Sequence, residues 1–303
     1  MNLTIHERKS IFLAEIGEGG SKALKSLIET MKLCLKQVNG VFTVDAKGIS
    51  SCNENEDHRV LCKAVLWANQ FKSFSYYGID GSGTGSFSFS IDMENFYEAI
   101  KKVKVKETVR LELFSLSSFE IILSIVKNPK VQTSADQVTA NIKVNTVRPS
   151  EVKAPEDYDE HRVVPVCNST FQASCQSLNP KPANAAILVR RFNNDAIVFF
   201  SGNKTGVENE AVFRKGFHDV MEERKHPPVV DFQASYSASH LFLVKKMLAN
   251  TINVLIYLKN NLPLRMRLNI GQLGLFDIYI KSQELVQMEK EIEAGEMDSS
   301  ELR

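Results

Sequence analysis

The sequence predicts an α+β protein of two similar domains with antiparallel sheets. Two observations lead to this fold class: a weak internal repeat, and strands in which apolar and polar residues mostly alternate. Each half of the 303 residues reads as strand, helix, strands, helix, strands. Alternation is typical of antiparallel strands with one buried face, and a chain of this length suits two domains better than one.

The repeat is clearest where a capped amphipathic helix ends in Lys-Lys and a strand opened by threonine follows. The first copy spans Ile91–Val103 and continues at Thr108–Leu113, and the second spans Tyr236–Met247 and continues at Thr251–Ile256. The two Lys-Lys pairs lie 144 residues apart, which is about half of the chain. Fixed spacing of this kind indicates a duplicated structural unit.

The elements that precede the two copies also correspond. In the first half we predict a helix, a strand and a turn at Ser21–Val38, Val41–Val44 and Asp45–Gly48. In the second half we predict the same series at Ser169–Leu178, Ile187–Phe192 and Asn193–Asp195. Both turns use residues that accept positive φ or hydrogen-bond their own backbone.

Composition then predicts the limits of the domains. Residues 148–162 hold Pro149, Pro155 and several acids, which indicates an extended, exposed connector between domains at 1–147 and 163–284. From Glu284 onward the chain carries seven acids against two bases, so we predict a disordered acidic tail at 285–303.

The remaining composition excludes several classes of protein. The formal net charge is +1, so any electrostatic binding must come from local segregation of charge. The five cysteines form no C-x-x-C pair and no zinc spacing, and their odd number indicates a reducing, intracellular compartment. No apolar run approaches the roughly 20 residues of a membrane span. We therefore expect no metal, no cofactor and no membrane partner.

The first predicted helix separates apolar and charged residues onto two faces. Its apolar stripe consists of Leu24, Leu27, Ile28, Met31, Leu35 and Val38. Its other face carries Lys22, Lys25, Glu29, Lys32 and Lys36. A solvated helix face explains such a stripe, and so does a surface that faces phosphates without reading bases. The candidate DNA-facing set is completed by Lys101, Lys102, Lys245 and Lys246.

Three enzyme interpretations have weak support. Gly81–Gly85 lacks the Gly-Lys-Ser/Thr ending of a phosphate loop and precedes a strand, which indicates a flexible hairpin tip. Cysteines and histidines are scattered without a motif for a nucleophile and base. Asp45 and Asp80 lie in predicted turns, where capping explains them.

Four stretches resemble the PCNA-type DNA sliding clamps: Met31–Ile49, Asp57–Leu61, Phe199–Gly202 and the closing hairpin Leu262–Ile280. The resemblance extends from about Ile11 to Glu284. It implies the DNA-clamp fold, with antiparallel sheets outside, four helices on the inner face and a closed ring, most simply a homotrimer. The sequence departs from the family in its near-neutral charge and in additions near 128–137. It also departs in Lys-Ser-Gln at 281–283, and such divergence would suit a large DNA virus or a distant eukaryote.

The resemblance also implies a function. It implies a processivity factor, not an enzyme, that encircles duplex DNA without sequence preference. The implied partners are a DNA polymerase, a clamp loader and other peptide-motif proteins. The implied location is a site of DNA replication, in the nucleus or at a cytoplasmic viral site. The partner-peptide groove it implies consists of His58, Leu61, Val152, Tyr158, Pro263, Tyr279 and Ile280. Alternatives are a non-ring processivity factor, a subunit of a heterotrimeric checkpoint clamp, or an enzyme with an unrecognised site.

Overall fold

The computed structural model describes residues 9–36, 39–104, 106–117, 120–128, 138–178, 185–193, 196–202, 208–214 and 229–295. Contacts divide the chain into two compact units, and each takes a short segment from the other half of the sequence. The first unit consists of residues 1–56, 62–153 and 269–276, and the second of residues 57–61, 154–268 and 277–303. The contiguous limits predicted from the sequence stay predictions.

The described residues form seventeen strands and five α-helices. The helices are α1 (Gly20–Leu35), α2 (Met93–Ile100), α3 (Asn168–Ser177), α4 (Ala238–Leu241) and α5 (Gln283–Glu293). The strands of the first half are β1 (Lys9–Ile16), β2 (Gly40–Asp45), β3 (Gly48–Glu54), β4 (Val60–Trp67), β5 (Ser73–Tyr76), β6 (Ser86–Ile91), β7 (Val109–Ser117), β8 (Glu120–Lys127) and β9 (Val138–Thr146). Those of the second half are β10 (Val164–Cys167), β11 (Ala186–Phe192), β12 (Ile197–Gly202), β13 (Glu208–Phe213), β14 (Val230–Ser237), β15 (Asn253–Tyr257), β16 (Leu264–Asn269) and β17 (Gly274–Ile280).

The first unit contains strands in the order β4-β3-β2-β6-β9-β8-β7-β1-β5, and α1 packs against α2. The predicted turn between β2 and β3 is confirmed. Asp45 Oδ1 accepts hydrogen bonds from the amides of Lys47 at 2.7 Å and Gly48 at 3.2 Å. Gly48 has a φ of 142°, and a Cβ there would lie 2.0 Å from the carbonyl oxygen of Leu66. Glycine is therefore required where this turn approaches the neighbouring backbone.

The second unit contains the strand orders β10-β15-β16-β17 and β13-β12-β11-β14. Helix α3 packs against β10, β13 and β15, and the fully buried aromatic side chains of the unit include Phe171, Phe199 and Tyr236. An ion-pair cluster also joins its elements. Asp231 Oδ1 lies 3.0 Å from Arg191 Nε, and its other oxygen accepts a hydrogen bond from Arg162. Every strand pair with a resolved register is antiparallel, as the sequence predicted.

The second copy of the repeat differs from the amphipathic helix that we predicted. It forms one α-turn, α4, followed by 3-10 turns at Phe242–Lys246 and Leu248–Asn250. The buried residues of this segment are Ala238, Leu241, Val244 and Met247, which recur at every third position, and Leu248. Apolar residues at every third position share one face of a helix with 3.0 residues per turn, not of an α-helix with 3.6.

The predicted disordered tail begins with a helix, which corrects the prediction for residues 285–293. Ser282 caps α5, since its Oγ accepts a hydrogen bond from the Leu285 amide at 3.0 Å. Leu285 is buried, and the helix packs against β14. Both carboxylate oxygens of Glu284 accept a hydrogen bond from the Ser235 amide of β14, each at 3.0 Å. Tertiary contacts therefore stabilise a segment whose charge alone predicts disorder, and residues 296–303 lie outside the described residues.

The glycine-rich run Gly81–Gly85 is also corrected, because it is not a hairpin tip. It connects β5 to β6, and these strands are not neighbours: β5 pairs with β1, whereas β6 lies between β2 and β9. Asp80 Oδ1 accepts the Ser82 amide at 2.9 Å, so the predicted capping role of Asp80 is confirmed. The addition near 128–137 falls almost wholly outside the described residues, as do Asn194 and Asp195 of the other predicted turn.

Candidate nucleic-acid interface and partner groove

Helix α1 presents the predicted apolar stripe to the core of the first unit. Five of the six stripe residues are buried: Leu24, Leu27, Ile28, Met31 and Leu35. The sixth, Val38, lies outside the described residues. On the other face, Lys22 and Lys36 are exposed, whereas Lys25 and Lys32 are half-buried. The lysine stripe therefore exists as a surface, but its members differ in environment.

The half-buried lysines contact α2. Lys32 Nζ lies 2.6 Å from a carboxylate oxygen of Glu94 and 4.7 Å from the centre of the Tyr97 ring. The hydrogen bond to Glu94 raises the pKa of Lys32 above its usual value. Lys25 Nζ donates to the carbonyl oxygen of Lys101 at 3.1 Å. The positive charge of Lys32 is therefore largely compensated by Glu94, whereas Lys25 contacts a neutral carbonyl oxygen.

A basic groove of about 490 Å³ lies between the N-terminal half of α1 and the residues that follow α2. Its lysines are Lys22, Lys25, Lys101, Lys102 and Lys104, and its one carboxylate is Glu29. Lys101 pairs with Glu98, and this hydrogen bond lowers the pKa of Glu98. No ion pair joins the other four lysines to an acid within the described part of the chain. Such a groove offers several ammonium groups to phosphates, which carry no sequence information.

The corresponding surface of the second unit is less basic. Lys245 is half-buried, with its Nζ 4.4 Å from the centre of the Phe242 ring, and Lys246 is exposed. Helix α3 contributes the exposed side chains of Gln172 and Gln176 and contains no lysine. The described part of this surface therefore offers few positive charges to phosphates.

Three of the predicted groove residues come together in the second unit. Tyr158 lies in the connector and is 8% exposed. Its hydroxyl donates to the carbonyl oxygen of Pro263 at 2.6 Å, and its ring centre lies 6.2 Å from that of Tyr279. Burial raises the pKa of Tyr158 well above the usual range. This end of the connector is therefore fixed to the closing hairpin of β16 and β17.

The centre of this cluster is Arg265, which the sequence analysis missed. Arg265 is 5% exposed, and its guanidinium lies 4.7 to 5.7 Å from the ring centres of Tyr158, Tyr257 and Tyr279. Its Nε lies 3.2 Å from Asp277 Oδ1. Ring faces and a carboxylate together compensate the buried charge. The signal in the sequence is that β16 and β17 carry opposite charges, at Arg265 and Asp277, that pair across one hairpin.

The other predicted groove residues lie in different environments. Leu61 and Ile280 are buried in the second unit, so they contribute packing and little accessible surface. His58 is exposed in the turn before β4 and has a φ of 55°. Val152 is exposed and belongs to the first unit. The partner-peptide groove stays a prediction, and its most ordered part is Tyr158 with Pro263.

The described residues contain no group of three or more His, Cys, Asp or Glu side chains arranged to hold a metal ion. Within the same residues, no helix combines the length and apolar composition that a membrane crossing requires.

Comparison with solved structures supports the fold predicted from the resemblance. The chain superposes on PCNA of Entamoeba histolytica with a TM-score of 0.67 and 15% identity, over 90% of this chain and 99% of that one. It superposes on a chain of the PCNA2–PCNA3 complex of Sulfolobus tokodaii with a TM-score of 0.64 and 13% identity, over 89% of this chain and 99% of that one. The chain has the PCNA-type sliding-clamp fold. No protein-family model and no curated protein matches the sequence. The similarity of this chain to PCNA structures therefore lies in the arrangement of helices and strands more than in residue identities.

Proposed function

We propose that this chain is a subunit of a sliding clamp, a processivity factor that encircles duplex DNA and binds a DNA polymerase, a clamp loader and other peptide-motif partners. The observation that carries the proposal is the likeness to PCNA structures over about 90% of the chain. In this proposal the chain is a scaffold and not an enzyme, and it acts inside the cell where DNA is replicated.

The basic groove supports a contact with DNA. Its ammonium groups release counterions from phosphates without fixing a sequence, so that a ring remains free to slide. The proposed DNA-facing residues are Lys22, Lys25, Lys32, Lys36, Lys101, Lys102, Lys245 and Lys246. Lys104 joins this set because it lines the groove. Lys32 contributes least, since Glu94 already neutralises it.

Two strand edges support closure of a ring. Strand β13 is the last strand of its sheet, and β9 pairs with β6 only through Asn145 and Thr146. The other edges suit pairing less well: β5 and β10 have four residues each, β10 contains Pro165, and Glu284 covers part of β14. We therefore propose that β9 of one subunit pairs with β13 of the next. Two different edges in each subunit give a head-to-tail ring, most simply a homotrimer.

The test is the mass in solution combined with retention on DNA. A homotrimer has three times the 34.0 kDa of the chain. A closed ring stays on circular DNA and leaves linear DNA by its ends. A monomer that stimulates a polymerase would favour the non-ring factor. A ring that forms only with a second, different chain would favour a heteromeric clamp, and one of the matched structures is a complex of two PCNA proteins. Turnover of a substrate without a polymerase would contradict the scaffold.

A further inference from the structure

A second basic cavity lies in the second unit, beside the first turns of α5. It measures about 230 Å³, and no carboxylate lines it. The side chains that supply its charge and hydrogen-bond donors are Arg59, His240, Lys281, Lys290, Gln283 and Gln287. None of the seven residues of the predicted partner groove lines this cavity.

The acids near this cavity compensate only part of its positive charge. Glu289 pairs with Lys281 at 2.9 Å, and Asp57 lies 4.0 Å from Arg59. Glu284 points to the Ser235 amide. Lys290 has no ion pair within the described residues. An anion that entered would therefore meet the positive charge of Lys290, which no acid of the described residues pairs with.

The shape and lining of the cavity indicate which anion fits. Guanidinium, ammonium and amide groups line one small cavity, and an arginine fork matches a carboxylate. Val286 is the one apolar side chain of the lining, and it offers a contact for the methylene groups that carry a carboxylate. Duplex DNA presents a row of phosphates along its backbone, which a single compact cavity does not follow. The geometry favours an acidic peptide.

We propose that this cavity binds a glutamate or aspartate side chain of a partner protein. The site would then select partners by an acidic residue, in addition to whatever the groove at Tyr158 and Pro263 binds. The assignment does not depend on ring closure or on contact with DNA. A chain that failed to stay on circular DNA but bound acidic peptides here would contradict the clamp proposal and leave this one intact.

The experiment measures fluorescence anisotropy of a labelled synthetic peptide of alternating glutamate and glycine, with the full chain and no DNA. A matched peptide has glutamine in place of glutamate. The test variant combines Arg59→Gln with Lys290→Gln, and the control combines Lys47→Gln with Lys72→Gln, two exposed lysines of the first unit. We expect the glutamate peptide to bind the wild type and the control alike. The test variant should bind it at least about tenfold more weakly, because charge-assisted hydrogen bonds are lost.

Several results would overturn the assignment. One is equal binding of the glutamine peptide, and another is unchanged binding by a test variant with a wild-type circular dichroism spectrum. Binding of a labelled DNA duplex, but not of the peptide, that weakens in the test variant would assign the cavity to nucleic acid.

Discussion

Removal of the unpaired lysines of the basic groove tests the DNA contact most directly. The variant changes Lys22, Lys25, Lys102 and Lys104 to glutamine, which removes four positive charges and no ion pair from the described structure. Lys25→Gln also removes a hydrogen bond to a backbone carbonyl oxygen. The fold should persist, because these side chains are exposed or half-buried and the apolar stripe of α1 is unchanged.

The size of the effect follows from counterion release. Each phosphate contact contributes about −0.9 to the slope of log K against log salt concentration. If all four lysines contact phosphates, the slope of the variant is less steep by about 3.6. Between 50 and 200 mM salt, the affinity of the wild type should therefore fall about 150-fold more than that of the variant, counted for each subunit. The assay is binding of a labelled duplex over that range of salt, followed by product length in a primer-extension reaction with a polymerase.

A second variant provides the control. It combines Lys32→Gln with Glu94→Gln, which removes an existing ion pair and leaves the net charge of the surface unchanged. We expect its slope to equal that of the wild type. A quadruple variant that folds normally and keeps the wild-type slope would refute the assignment of the groove to DNA.

Three further predictions concern stability and assembly. Gly48→Ala should destabilise the chain by about 2–4 kcal/mol in urea unfolding, because the new Cβ meets a backbone oxygen at 2.0 Å. As a control, Gly17→Ala should change stability by less than about 0.5 kcal/mol, because its new Cβ has nothing within 4 Å. Val212→Lys on the outer strand β13 should reduce the mass in solution toward 34.0 kDa. Ile252→Lys, at a site that is 78% exposed, should leave the mass unchanged. The opposite order of effects would exclude β13 from the interface. Burial raises the pKa of Asp231, but hydrogen bonds from its two arginine partners outweigh this and set the pKa below the usual value. Its contribution to stability is therefore present above a pH of about 3.9 and is lost as the pH falls through the lower folded-state pKa, so the stability difference between wild type and Asp231→Asn should shrink on acidification below pH 4.

The sequence predicts those elements in which local pattern and tertiary packing agree. The apolar stripe of α1 has the period of an α-helix and packs as one, and the Asp45 carboxylate caps its turn as expected. At α4 and the turns after it, four buried residues recur at every third position, which suits the 3-10 form better than an α-helix. The start of the tail follows the same rule, because Leu285 is buried by a contact that composition does not reveal.

The candidate sites divide in the same way. The lysine stripe could be predicted because helical spacing determines which residues share a face. The pairing of Lys32 with Glu94 could not, because it depends on how α2 packs against α1. Arg265 lies in a strand among buried apolar residues, and Asp277 and three tyrosine rings compensate its charge. One of these rings, that of Tyr158, comes from a distant part of the sequence. Contacts between residues far apart in the chain are therefore the part of each site that the sequence alone leaves open.

The contact of Glu284 with β14 has a consequence for solubility. An uncovered outer strand of eight residues offers a row of amides and carbonyls to any other chain. Helix α5 packs against that strand, and the Glu284 carboxylate accepts one of its amides. Removal of α5 should thus promote aggregation through β14, even though the helix lies outside every site considered for DNA.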